Sequence, residues 1–171
     1  MKKGIFFILF LYVTVGFSQT DIFSIARKGT AKQMHSFLEK NPSKINAKNE
    51  HGFTPLIICS YANNLEVAKV LLDKKADPNI LSDMGTALMA ATYKNNIEIA
   101  KILLQNKADV NITDAKGTTA LHYATLFNYY PMVKILMQYN AKRNLKDVHN
   151  KTAVDYAIEM KSTRILKLLN N

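Results

Sequence analysis

The triplets Thr54-Pro55-Leu56, Thr86-Ala87-Leu88, Thr119-Ala120-Leu121 and Thr152-Ala153-Val154 recur at spacings of 32, 33 and 33 residues. No other feature of the chain constrains its fold as tightly. A second series keeps the same phase: Leu71-Leu72, Leu103-Leu104, Leu136-Met137 and Leu168-Leu169 close each unit, and Ala76, Ala108 and Ala141 mark the bend that follows. Asn46, Asn79, Asn111 and Asn144 form a third series, at spacings of 33, 32 and 33. Three registers in agreement define a tandem repeat.

Each unit reads as a pair of helices. Its threonine is placed as an N-cap, and Pro55 takes the first helical position, where a missing N–H costs nothing. Asn63, Asn95 and Asn128 fall where a tight turn between two helices needs a left-handed residue, which Asn tolerates better than most. A second helix follows with Leu65, Ala68, Leu71 and Leu72, or Ile97, Ala100, Leu103 and Leu104, on one apolar stripe. A single pair of this size cannot bury its stripes, so the units must stack in one dimension.

The motifs Gly52-Phe53-Thr54-Pro55-Leu56 and Gly117-Thr118-Thr119-Ala120-Leu121-His122-Tyr123-Ala124 resemble the turn and first helix of the ankyrin-repeat family, and the resemblance covers essentially all of 20–171. It implies an all-α solenoid of antiparallel helix pairs with short finger loops. Asp21 to Lys48 reads as a degenerate first unit, with Ile22, Ala26, Arg27, Gly29, Phe37 and Leu38 in phase, ahead of four fuller repeats over 49–81, 82–113, 114–146 and 147–171.

Two departures from the family carry predictions. One residue is missing before Thr86, so the finger loop around Asp83-Met84-Gly85 should be short. Lys75, Lys107 and Asn140 stand where the family usually has Gly, which predicts non-Gly residues at positive φ, each costing about 1 kcal/mol. The last unit, with Lys161, Arg164, Lys167, Asn170 and Asn171 between its apolar residues, reads as a capping repeat with a polar outer face.

Met1-Lys2-Lys3, the apolar run Ile5 to Phe17 and the small-residue pattern of Gly16-Phe17-Ser18 make a secretory signal peptide over 1–18, with cleavage after Ser18 and the repeat domain over 19–171. An uncleaved anchor is the competing reading, but a helix needs roughly 20 apolar residues to span hydrocarbon. The leader is of bacterial type and implies a periplasmic or secreted protein, with no stable membrane insertion once it is removed. The chain carries 23 Lys and Arg against 13 Asp and Glu, or +10; without Lys2 and Lys3 it is 21 minus 13, or +8. Its one cysteine, Cys59, can form no intramolecular disulfide. Its place in an apolar helix pattern favours a small core residue over a reactive thiol.

A search for chemistry finds no Gly-rich phosphate loop, nucleophile elbow, H-E-x-x-H or C-x-x-C. The expectation is therefore a non-enzyme without cofactor or metal. The family resemblance implies that His122 makes a structural hydrogen bond to the turn before it. His51 and His149 sit at equivalent finger-loop positions of separate repeats, and His35 has no partner in register. Asn111-Ile112-Thr113 and Asn150-Lys151-Thr152 match a glycosylation triplet but already have repeat-structure roles.

In the family's geometry a concave groove is lined by finger loops and by the ends of the first helices. In this chain Phe53, Tyr61, Met84, Tyr93, Lys116, Leu126 and Phe127 fall there and form the candidate site. Such a run of exposed aromatic and apolar residues marks a surface for another protein. The competing reading packs these rings against neighbouring repeats. The chain is expected to act as a monomer that scaffolds, chaperones or inhibits another extracytoplasmic protein, without binding nucleic acid. Lys69, Lys101, Lys134 and Lys167 repeat on the opposite, convex side, as a solvated back face. Binding of a polyanion, such as an acidic glycan or a lipid headgroup, through that basic surface is the alternative function.

Overall fold

The computed structural model describes residues 21–170, so the expected leader and its cleavage site lie outside the described residues. The described residues form ten α-helices and one 3-10 turn. The first unit holds α1 (Ile22–Lys28) and α2 (Ala31–Lys40), followed by the 3-10 turn Pro42–Lys44. The next four hold α3 (Pro55–Ala62) with α4 (Leu65–Asp73), α5 (Ala87–Tyr93) with α6 (Ile97–Gln105), α7 (Ala120–Leu126) with α8 (Tyr130–Gln138), and α9 (Ala153–Glu159) with α10 (Thr163–Asn170). First helices pack on first helices and second helices on second, each against the unit before and the unit after. The result is the all-α solenoid that the period requires.

Local chemistry starts and stops each helix. The hydroxyl oxygens of Thr54, Thr86, Thr119 and Thr152 accept the N–H groups of Ile57, Met89, His122 and Asp155, so every full repeat opens its first helix on a threonine cap. Asp21 does the same for α1 with Phe23 and Ser24. Between the paired helices Asn63, Asn95 and Asn128 adopt φ of 60°, 56° and 57°. Lys75, Lys107 and Asn140 lie at 68°, 67° and 62° after the second helices, where the sequence predicts left-handed residues.

The core is one continuous cluster running from Ile22 to Leu169. Ala91, Ala124 and Ala157 occupy one first-helix register with no exposure, and Cys59 takes the same slot in the second unit. Burial pushes the Cys59 thiol well above its ordinary range, so it carries no reactive thiolate. The bend alanines Ala76, Ala108 and Ala141 are buried as well.

The asparagine series forms a ladder between repeats. Asn46, Asn79 and Asn111 each accept, through Oδ1, the N–H that follows the next repeat's bend alanine: Asp77 at 3.0 Å, Asp109 at 2.7 Å and Lys142 at 2.7 Å. Asn79 and Asn111 also donate Nδ2–H to the carbonyls of Lys107 and Asn140. Each rung satisfies backbone groups in the bend after a second helix, where no helical partner is available. Asn111 is thereby committed to the fold.

The third finger loop is short, as the missing residue requires: Ser82 and Gly85 exchange both backbone hydrogen bonds at 3.1 Å around a two-residue tip. The other fingers close one residue later, from Asn49 to Phe53, Asp114 to Thr118 and Asp147 to Lys151. Gly85 at φ +102° lies against Met89, whose sulfur would be 2.4 Å from an added Cβ. The last repeat meets the capping expectation only in part. Lys161, Arg164, Lys167 and Asn170 are exposed on or beside α10. On α9, Ile158 is 58% exposed at the register where Ser60, Thr92 and Thr125 are buried under a following repeat.

Candidate functional site

The finger loops and the first helices of the first four units enclose an open trench of about 400 Å³. Its floor comes from the groove side of the first helices, with Ile57, Ile58 and Tyr61 of α3 and Met89, Ala90 and Tyr93 of α5. Its other wall comes from the fingers, with Phe53, Asp83, Met84, Ala115 and Lys116, and Arg27 stands at the N-terminal end. The lining is mostly apolar and aromatic, with charges at the rim. That composition suits recognition of a chain carrying large apolar side chains.

Five of the seven residues singled out in the sequence, Phe53, Tyr61, Met84, Tyr93 and Lys116, line this trench together. Leu126 lines an adjoining, smaller cleft of about 150 Å³ with His122, Asp147, Val148 and Tyr156, and Lys116 and Tyr123 border both cavities. Phe127 lines neither cavity. Its ring instead meets Tyr93 edge-on at 5.3 Å and lies parallel to Tyr123 at 6.4 Å.

The rings do two things at once. Tyr61 and Tyr93 lie nearly parallel with centroids 6.3 Å apart, and Tyr93 also meets Tyr123 edge-on at 6.0 Å, so the aromatic residues of successive repeats brace each other. Packing and exposure are compatible here: Tyr61, Tyr93 and Phe127 remain 47%, 46% and 37% exposed, and Met84 is 70% exposed at the short finger's tip. Lys94 sits 4.9 Å over the Tyr61 ring on the rim. The outcome is an aromatic ridge of mutually packed rings that stays partly open to solvent.

Ile57, Ile58, Met89 and Tyr123 are trench residues that sequence reasoning does not single out. The first three read as core because they fall in the first-helix apolar pattern, and they are nearly buried. Tyr123 occupies a register filled by Ile58, Ala90 and Tyr156 in other repeats. That variation within an otherwise periodic helix is the signal that could have found it.

Two fingers are tied to their helices by one device. Asp114 accepts the N–H groups of Lys116 and Thr118 at 2.8 and 2.9 Å, and its other oxygen accepts the Tyr123 hydroxyl at 2.9 Å. In the fifth unit Asp147 accepts from His149, Lys151 and the Tyr156 hydroxyl in the same way. Burial alone would raise the Asp147 carboxyl. The Tyr156 hydroxyl and the two N–H donors outweigh it and hold that carboxyl below the usual carboxylate value. Burial and the neighbouring carboxylate push Tyr156 up to about 12, and burial followed by Asp114 pushes Tyr123 up in the same sense.

His122 is structural and joins two repeats. Its Nδ1 accepts the Thr119 N–H at 3.1 Å, which places the proton on Nε2, and Nε2 donates to the Lys151 carbonyl of the next finger at 3.2 Å. His35 and His51 are exposed beside Glu39 and Glu50. Among the described residues no three His, Cys, Asp or Glu side chains converge as a metal site would require. On the back face, Lys69 and Lys101 pair with Glu66 and Glu98 at 2.7 and 2.8 Å.

Residues 22–114 and 88–171 match the family model described as ankyrin repeats in three copies. A putative ankyrin repeat protein, L289, of Acanthamoeba polyphaga mimivirus is 49% identical over 53 residues, which cover 29% of this chain and 10% of that protein. The human DNA-binding protein RFXANK is 37% identical over 62 residues, covering 36% and 24%, and a putative ankyrin repeat protein of Rickettsia bellii (strain RML369-C) is 41% identical over 63 residues, covering 34% and 38%. The matched stretch therefore spans at most 38% of the length of these relatives.

Proposed function

Because the chain belongs to the ankyrin-repeat family, whose repeats generally mediate protein–protein binding, we propose that it is an exported, non-catalytic module that holds another protein in its concave trench. The observation that carries this reading is the continuous apolar trench of about 400 Å³ with an ordered aromatic ridge at its rim. Aromatic residues that are rigid before binding lose little entropy on contact and dominate interface energetics. The occupant is an extracytoplasmic protein, and the effect is to scaffold, chaperone or inhibit it, by a monomer that needs no cofactor. Export rests on the apolar leader, with residues 1–18 removed and 19–171 left as the repeat domain.

The trench is tested by replacing Tyr61, Tyr93 and Phe127 together with Ala, identifying partners captured by the parent protein, and measuring their affinity for both forms. Affinity should fall by about tenfold or more, as expected for loss of aromatic anchors, while cooperative melting persists. A lower melting temperature with unchanged affinity would assign the rings to stability alone. Export is tested separately by determining the N-terminus of the mature protein. A chain beginning at Gln19 supports it, and one retaining Met1 removes the signal peptide from the reading.

A further inference from the structure

The back face changes character along the stack. In the second and third units the outer second-helix positions pair Glu66 with Lys69 and Glu98 with Lys101. At the same registers the fourth and fifth units have Pro131 with Lys134 and Arg164 with Lys167, so the acidic partner is gone and in the last unit is replaced by a cation. Residues 130–171 carry eight Lys and Arg against three Asp and Glu, or +5, out of +8 for the chain after Ser18. Those three acids are already engaged. Asp147 holds the fifth finger, Asp155 caps α9 through Thr152, and Glu159 pairs with Lys151.

At the turn between α9 and α10 exposed apolar residues and cations follow one another along the chain. Lys161 lies in the turn between α9 and α10, Arg164 and Lys167 follow in the first two turns of α10, and Lys134 sits in the corresponding half of α8; all four are exposed. Immediately before the turn come Ile158 and Met160, 58% and 45% exposed. The Arg164 guanidinium carbon sits 3.7 Å from the centre of the Tyr130 ring and so occupies that face of the ring.

We propose that this corner of the last two repeats docks on an anionic lipid surface. The combination selects that occupant: cations are drawn to a negatively charged bilayer, and apolar side chains next to them gain by entering the headgroup boundary. A single-stranded nucleic acid would call for exposed aromatic faces among the cations, and the Tyr130 ring is occupied. An acidic polypeptide would use the charge but leave Ile158 and Met160 in water. The trench opens on the concave side, so the module can hold a protein partner while seated on a membrane.

The test uses the repeat domain, residues 19–171, in sedimentation with vesicles of phosphatidylcholine alone or doped with phosphatidylglycerol. The protein should sediment only with the doped vesicles. Raising salt from about 0.01 M to about 0.15 M, which shortens the screening length from roughly 30 to roughly 8 Å, should reduce binding steeply. Lys134→Glu with Lys167→Glu should weaken binding by about twentyfold or more, from roughly fivefold per cation near the surface. The same reversal at Lys69 and Lys101 changes net charge equally and should cost less than about twofold. Ile158→Ser should weaken binding without changing its salt dependence. The Tyr61, Tyr93 and Phe127 triple variant should bind vesicles normally, so this proposal and the trench reading fail independently. No sedimentation with doped vesicles, equal loss in the two reversals, or binding of duplex DNA or polyglutamate in place of vesicles would overturn it.

Discussion

The seam between repeats and the trench above it are built from the same helices, yet they obey opposite rules. Along the seam each register repeats its chemistry: Leu71, Leu103, Leu136 and Leu169 are fully buried, and Cys59 stands in for alanine with equal burial. Along the trench the registers drift, with Arg27, Tyr61, Tyr93, Leu126 and Glu159 at one position and Ile58, Ala90, Tyr123 and Tyr156 at another. The stack needs the first set at every step, because each unit buries its stripe only on its neighbours. It asks less of the second set, in which Tyr123 and Tyr156 tie fingers to helices through Asp114 and Asp147 while the drifting positions are left to specify a partner.

The sharpest way to break that contrast is to cut into the seam. Leu103→Ala removes a side chain with no exposure from the middle of the stack, and should cost about 3 kcal/mol, within a usual range of roughly 2–5. Met84→Ala removes a side chain of similar size from the trench and should change stability by less than about 0.5 kcal/mol while weakening partner binding. Urea unfolding of both variants measures the difference. Similar losses in the two would mean that the trench is part of the core.

This division also explains what could be read from the sequence. The threonine caps, Pro55, the left-handed Asn63, Asn95 and Asn128, and the short third finger follow from demands that local backbone geometry makes on particular residue types, so they were visible as a period. The asparagine ladder was visible as a series but not as a device, because its bonds run between residues about thirty positions apart. Ile57, Ile58 and Met89 were lost inside an apolar pattern that serves core and trench alike. By register Leu126 shares the position of Tyr93 and Phe127 the position after it. In the stack Leu126 lines a smaller cleft that shares Lys116 and Tyr123 with the trench, and the Phe127 ring packs on Tyr93 and Tyr123 at the trench rim.

An intermediate effect belongs to the device that joins finger to helix. Tyr156→Phe removes the hydroxyl that donates to Asp147, and should cost about 1 kcal/mol. The Asp147 carboxyl is held below its ordinary value in the folded chain. Its contribution is therefore complete above the unfolded carboxylate value near ~3.9 and is lost as pH falls through the lower folded value. Without the Tyr156 hydroxyl the folded value rises toward the unfolded one, so acid unfolding of the variant should begin at higher pH. An unchanged acid midpoint would show that the backbone N–H groups alone set this carboxyl.

The smallest effect tests whether periodic positions are always optimal. Lys75 sits at φ +68° in a bend where only its backbone conformation matters to the stack, since its side chain is exposed and has no ion-pair partner among the described residues. A β-carbon in the left-handed region costs about 1 kcal/mol or somewhat more, and glycine removes that cost while adding flexibility to the unfolded chain. The two terms partly cancel, so Lys75→Gly should stabilise by roughly 0.5 kcal/mol, seen as a rise in melting temperature. Lys107→Gly, at φ +67°, should behave alike, and the pair should add to within about 0.5 kcal/mol, because the Asn79 rung that joins the two bends holds the Lys107 carbonyl and neither lysine side chain. A fall in both variants would mean that unfolded-state entropy outweighs strain. A fall in only one would show that the repeats are less equivalent than their dihedral angles indicate.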